Sequence, residues 1–345
     1  MRASRFGLST LTHRVLPSGG RVAATRAQPV LTWSEDLRVS EKVALAYFGY
    51  MLVASWIFPL SARERLEVVG LNLAATFVLL RLGQLVAGRR RGTTPALSRS
   101  GGCAPVKSSH FARSAWLTAL RDWFPAVLIL LAYREAGLLM IPDPTHRLDY
   151  LFVRWDSVVL RNPLVLGTLR AFSPWLQYLL EFSYLLCYPL VPLGAAAVIV
   201  AYRRQDLDRY RTDRVPDRFW TTVLLALFSA YLLSPFFPAT PPRSFFHDLP
   251  GPLVHPLFRQ VNLWILGQYG NYSNVFPSGH VAGATATALA VGAYLPRLGA
   301  LFLAVAASIA IATVYGRYHY TADAVVGALI GVTSFLVSRW ICSKA

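Results

Sequence analysis

The sequence predicts an all-α integral membrane bundle, and three observations lead there. Hydrophobic residues make up 54% of the 345 residues, above the roughly 45–50% usual for soluble domains. Charged residues make up only 15%, and mean hydropathy is +0.42. The apolar residues also gather into runs of span length, separated by basic or Pro/Gly-rich breaks. Three cysteines over this length exclude a disulfide scaffold, and the apolar excess excludes a disordered chain.

Eight runs fit spans of about 20 residues: 43–60, 66–88, 123–141, 175–202, 219–237, 281–295, 298–316 and 324–338. The second carries Arg81, and the third is interrupted by Arg134 and Glu135. A membrane helix tolerates such residues where they face protein or reach the interface. Placing the N-terminus inside puts most of the 34 lysines and arginines on the cytoplasmic side, together with the C-terminus. The formal charge of +17 is therefore a topology signal. A nucleic-acid partner would need those residues on one soluble surface, and none is expected.

Residues 1–42 are expected to form a basic cytoplasmic tail. It has no acid before Glu35 and no apolar stretch of the kind found in secretory signals, a composition shared with organelle transit peptides. A transmembrane helix pair over 43–88 follows, then a Gly/Ser/Arg-rich cytoplasmic linker over 89–121, then a domain of six spans over 122–341. Cys103 falls in the linker, Cys187 in a span and Cys342 at the inner terminus, and no CxxC or HExxH spacing marks a metal site.

On this topology three polar clusters meet on the non-cytoplasmic face. Pro241-Pro242-Arg243 follows the fifth span, Pro277-Ser278-Gly279-His280 opens the sixth, and Arg317-Tyr318-His319-Tyr320-Thr321-Ala322-Asp323 joins the seventh to the eighth. Proline suits a helix start, and the backbone N–H groups of Ser278 and Gly279 there form a ready anion site, with His280 on the first turn. His319 and Asp323, four apart, can share a helix face; alternatively Thr321 is the N-cap and Asp323 lies in the first turn. Either way a carboxylate can hold one imidazole nitrogen and leave the other as nucleophile. Arg243 and Arg317 offer planar forks for phosphate. Each feature also has a plain structural reading, as a helix start, a capping aspartate or a headgroup contact. Together they form an inventory for phosphoryl transfer.

These residues resemble the type 2 phosphatidic acid phosphatase superfamily of membrane phosphatases and phosphotransferases, most closely the branch with inositol phosphorylceramide synthases and related bacterial proteins. Pro277-Ser278-Gly279-His280 agrees with the second motif in full, His319 and Asp323 match the end of the third, and Pro241-Pro242-Arg243 looks like the first. Two positions depart from the widespread pattern. Phe236 stands where the first motif has lysine, and Ala312-Thr313 stand where the third has Ser-Arg, leaving Arg317 to supply the missing charge. The resemblance implies a six-helix bundle preceded by two extra transmembrane helices.

It also implies a two-step transfer on a membrane lipid phosphate or phosphodiester. His319 would attack phosphorus to give a phosphohistidine, with Asp323 orienting it. His280 would serve as general acid and then base, while Arg243, Arg317 and the Ser278 and Gly279 backbone hold the oxygens. No metal or other cofactor is expected, and water or a lipid or polyol hydroxyl is the acceptor. A noncatalytic lipid transporter or scaffold with the same fold is the alternative.

Several polar residues fall outside the three motifs. Asp122, Trp123, Tyr133, Arg134 and Glu135 in the third span, with Glu181 and Tyr184 in the fourth, are expected to pair structurally. Residues 148–160 suit an interfacial helix bordering a lipid entrance. The small-residue row Gly283, Ala284, Ala286, Ala288 and Ala290 suits close helix packing.

Overall fold

Apolar runs punctuated by proline, glycine and charge fold here into helices. The computed structural model describes residues 36–92, 108–139, 148–165, 167, 174–205, 214–246, 257–270 and 275–344. Among these the α-helices are α1 (Val39–Ile57), α2 (Ala62–Gly92), α3 (Ser108–Leu138), α4 (Asp149–Leu160), α5 (Pro174–Leu185), α6 (Cys187–Gln205), α7 (Arg214–Leu233), α8 (Leu257–Tyr269), α9 (Gly279–Gly292), α10 (Pro296–Tyr315) and α11 (Thr321–Lys344). Of the tail expected over residues 1–42, residues 1–35 lie outside the described residues, as does the middle of the linker with Cys103, and residues 39–42 are helical, opening α1.

Three expectations change. Residues 89–92 and 108–121, read as linker, are helical and extend α2 and α3. Arg134 and Glu135 do not interrupt α3, because Arg134 bridges to Glu67 at 3.2 Å and Glu135 accepts from Asn72 Nδ2 at 3.0 Å, both on α2. The run 175–202 is two helices, α5 and α6, bent by 60°. Pro189 has no N–H for the carbonyl of Leu185 and its ring crowds that carbonyl, so the first helix stops there.

Five described helices are long and apolar enough to cross a membrane: Ala62–Ala87, Trp116–Leu138, Val215–Phe236, Pro296–Tyr315 and Thr321–Lys344. The bent pair makes up to six, against the eight expected. Neither α1 nor α9 is among them. At about 1.5 Å per residue, the 14 residues of α9 reach only ~21 Å, short of a ~30 Å hydrocarbon core. The chain is a multi-pass membrane protein by these helices.

Short α9 is the axis of the bundle, packed against α6, α7, α10 and α11, with ten of its 14 residues buried. Its small residues allow that crowding. On α11 the pair Gly327 and Gly331, four apart, faces α9 so closely that a Cβ at Gly327 would lie 2.6 Å from the Ser278 carbonyl oxygen, and one at Gly331 2.7 Å from the Thr285 Cβ. This small-xxx-small contact sets the N-terminus of α9 beside that of α11. At the other end, Asp122 pairs with Arg38 at 2.8 Å and Arg203 at 3.3 Å, and Arg121 with Glu41 at 2.6 Å, joining α1, α3 and α6. These are the structural pairings expected for Asp122, Arg134 and Glu135.

Candidate active site

The site gathers where α9 and α11 begin. Ser278 is the N-cap of α9, its hydroxyl accepting from the Val281 N–H at 3.3 Å. Its own N–H donates to the carbonyl of Asp323 at 3.2 Å. The expectation that the Ser278 N–H binds anion is therefore corrected: that donor ties the two helix starts together. Gly279 and His280 occupy the first two positions of α9, where N–H groups have no carbonyl within the helix.

Asp323 lies in the first turn of α11, fully buried, where Oδ2 accepts from the Tyr320 N–H at 2.9 Å. The same oxygen is 3.3 Å from His319 Nδ1. A closer neighbour of that nitrogen is the carbonyl oxygen of Val275, at 2.8 Å. A carbonyl only accepts, so Nδ1 carries the proton and Nε2 is left with its lone pair. The ring of His280 stands across from that of His319, centroids 5.6 Å apart and planes at 82°. Both line one cleft with Arg243, Gly279, Pro277, Tyr184, Tyr231 and Tyr318.

Both imidazoles are held neutral. Burial, with the neighbouring His319, pushes His280 down to about 3. Burial pushes His319 down to about 4, the Val275 carbonyl opposing and the Arg243 charge adding to it. Arg243 therefore sits close enough to act on the ring electrostatically. Its backbone N–H donates to the carbonyl of Arg317 at 3.2 Å, joining the first and third motifs.

Arg317 has a different place from that expected. It sits at φ 58°, in the left-handed position that ends α10, with Tyr318 N–H on the Thr313 carbonyl and Arg317 N–H on that of Val314. Its guanidinium donates to the Phe246 carbonyl, and the residue is not among those lining the cleft. That contact clasps two loops.

Two sets of partners escaped the sequence reading. Glu181, flagged only for structural pairing, accepts from Arg259 at 3.1 Å, Asn262 at 2.9 Å and the Tyr318 hydroxyl at 2.7 Å. Tyr318 stacks on Tyr184 at 3.9 Å, and the Tyr184 hydroxyl is 3.4 Å from His280 Nε2. The chain thus runs from a buried ion pair to the imidazole. On α4, Asp149 accepts from the Thr240 N–H at 2.6 Å and Asp156 from the Thr321 N–H at 3.0 Å. One amphipathic helix, with Tyr150, Trp155 and Val158 exposed, thereby holds both the Arg243 loop and the start of α11. Among the described residues no three His, Cys, Asp or Glu side chains gather as a metal ion would require.

The family model of the PAP2 superfamily matches residues 154–337, from within α4 to within α11, taking in all three motifs. No curated protein and no solved structure matches the chain.

Proposed function

The chain belongs to the PAP2 superfamily, and from that premise we propose that it transfers a phosphoryl group from a membrane lipid phosphate or phosphodiester through a phosphohistidine at His319. The observation that carries this reading is the 2.8 Å contact of His319 Nδ1 with the Val275 carbonyl, with Asp323 behind it at 3.3 Å, which calls for a proton on Nδ1 and leaves Nε2 as the lone-pair nitrogen beside His280.

His319 Nε2 attacks phosphorus, the bond to the leaving oxygen breaks, and His280 gives that oxygen a proton. Water or an alcohol then surrenders its proton to His280 as it attacks the phosphohistidine. Arg243 and the N–H groups of Gly279 and His280 hold the nonbridging oxygens. His280 is neutral in the free enzyme at pH 7, so its proton arrives with the substrate: an anionic phosphate beside the imidazole favours the charged form. Asp323 stabilises the positive charge that develops on His319.

The distribution of lysine and arginine supports cytoplasmic termini and a site at the opposite surface. The branch with inositol phosphorylceramide synthases remains the nearest resemblance in the motifs, and an acceptor alcohol its natural corollary. A noncatalytic transporter draws its support from Phe236 and Ala312-Thr313, where the widespread motifs have lysine and Ser-Arg; the polar path it would also use finds no support in Arg134, Glu135 and Glu181, each of which has a partner.

The test is to incubate purified protein with radiolabelled lipid phosphates and look for acid-labile label on His319. Label that is absent from His319→Ala, and that adding an alcohol discharges into a new phosphodiester or phosphomonoester, is the expected result. Turnover persisting in His319→Ala overturns the mechanism.

A further inference from the structure

A second cleft lies at the end of the bundle away from His280, and it exists because α9 is short. Where α9 stops at Gly292, α11 runs on to Lys344, and α7, α10 and α11 with the last turn of α9 wall a space of about 640 Å³. The walls are mostly apolar, with Phe219, Leu289, Leu303 and Phe335, but two arginines, Arg218 and Arg339, face in as well. Among the described residues no acid lines it. The Nε of Arg218 is buried without a hydrogen-bond partner among them, while one Nη donates to the Cys342 carbonyl at 3.3 Å and the guanidinium also pairs with the Tyr294 hydroxyl at the cleft wall. The neighbouring polar pair, Thr222 and Ser338, is satisfied internally at 2.9 Å. The nearby carboxylate of Asp217 is taken by the N–H groups of Val39 and Ser40.

We infer that this cleft binds an anionic phospholipid, its phosphate between Arg218 and Arg339 and an acyl chain against Leu303 and Phe335. Two cations over apolar walls match such an amphiphile at both ends. Lateral entry follows from the mouth, because Leu303 is half exposed on α10 and Arg339 exposed on α11, both helices able to cross a membrane. A free phosphate would use the arginines and leave the apolar walls in water, so lipid is the occupant to which the surface commits. Nothing in the inference depends on the phosphoryl chemistry at His319, which lies roughly 20 Å away along α9.

Photolabelling tests this in a way that separates the two clefts. The full-length protein is incubated with phosphatidylglycerol or phosphatidylcholine of identical chains, each carrying a mid-chain diazirine, and adducts are mapped by peptide. Phosphatidylglycerol should label the segment around Ala300 and Leu303, and that around Phe335, roughly tenfold above phosphatidylcholine. Arg218→Gln/Arg339→Gln should remove that excess and leave labelling near Tyr231 and Leu266 unchanged. Ala300→Phe, which keeps both arginines but fills the cleft, should lose the adducts for both lipids and serves if the double variant does not fold. Equal labelling by the two headgroups in the wild type, or an excess surviving either variant, overturns the inference. So does displacement by glycerol 3-phosphate at concentrations matching the lipid, which would make the site one for free anions.

Discussion

The Nδ1–H of His319 points at the carbonyl oxygen of Val275, 2.8 Å away, with the Asp323 carboxylate a more distant second at 3.3 Å. In a triad where the carboxylate alone sets the tautomer, replacing it with an amide costs about 10⁴ in kcat. Here a backbone acceptor keeps the tautomer, so Asp323→Asn should lose less, on the order of 10², with KM little changed. Asp323→Ala should also lower the melting temperature, since the Tyr320 N–H loses its buried acceptor. Steady-state kinetics with melting curves for the two variants checks this; a 10⁴-fold loss in the Asn variant would assign the orienting role to Asp323.

His280 faces the cleft and its Nε2 lies 3.4 Å from the Tyr184 hydroxyl. As general acid it should matter in proportion to how poor the leaving group is. His280→Ala should lose about 10²–10⁴ in rate on a lipid phosphate and much less on an aryl phosphate whose phenolate leaves unaided. Tyr184→Phe keeps the stack on Tyr318 and should cost less than about tenfold, the effect of one weak hydrogen bond. Equal losses on both substrates in His280→Ala would argue for a structural histidine.

Proton linkage follows from the two depressed imidazoles. Since His280 sits at about 3 and phosphate raises it, binding inorganic phosphate at pH 7 should take up a proton, measurable by calorimetry in buffers of different ionisation heat. Stability carries a matching sign. Both folded values, about 3 and about 4, lie below the ordinary 6.5. The unfolded chain therefore binds protons first, and stability, complete above 6.5, falls as pH drops through these values. Asp156, pushed up to about 6 by burial, works in the opposite direction as pH falls from there. The control is His280→Asn/His319→Asn, whose melting temperature should fall less on acidification.

Arg243 and Arg317 were interchangeable in the sequence and are not in the structure. Arg243→Gln should raise KM and lower kcat, because it removes the cation that shares the cleft with His319 and acts on its ring. Arg317→Gly relieves the left-handed strain at φ 58° that arginine already bears, about 1 kcal/mol, which offsets part of the lost contact to the Phe246 carbonyl, whereas Arg317→Ala keeps the strain and loses the contact, so the alanine variant should be the less stable of the two. Kinetics on all three, with melting curves, tests the division between phosphate contact and loop clasp; a larger KM effect from Arg317→Gly than from Arg243→Gln would reverse it.

Much of this site could be read from the sequence because its chemistry is local. Ser278-Gly279-His280 announces a helix start and is found as one, while His319 and Asp323 do meet, though not on one helix face: α11 begins at Thr321, with His319 just before it and Asp323 in its first turn. The Val275 carbonyl could not be read, since any residue supplies a carbonyl and only the fold brings this one 44 positions across to His319. Glu181 and Arg259 meet across 78 positions, and Arg259 lies on a 13-residue helix too short to register as a span. The span count departs for a plainer reason: hydropathy locates apolar runs but does not measure helices, so among the described residues five helices, or six with the bent pair as one span, have crossing length. That bend had a visible signal in Pro189 and Pro192.

Asp156 offers the clearest test of how α4 supports the site. Its carboxylate, 1% exposed, receives the Thr321 N–H on both oxygens, at 3.0 and 3.2 Å, and so fixes the residue that starts α11 two positions before Asp323. Asparagine retains one acceptor oxygen, and alanine leaves a buried donor unpaired, at about 1–3 kcal/mol. Asp156→Ala should therefore lower the melting temperature and reduce kcat with KM nearly constant, because the substrate contacts are intact while the His319 turn loosens. Asp156→Asn should recover most of both, and its activity should lose whatever pH dependence near 6 the wild type owes to this group. An Asn variant as impaired as the Ala variant would mean that the charge of Asp156, rather than its hydrogen bond to Thr321, is what the site requires.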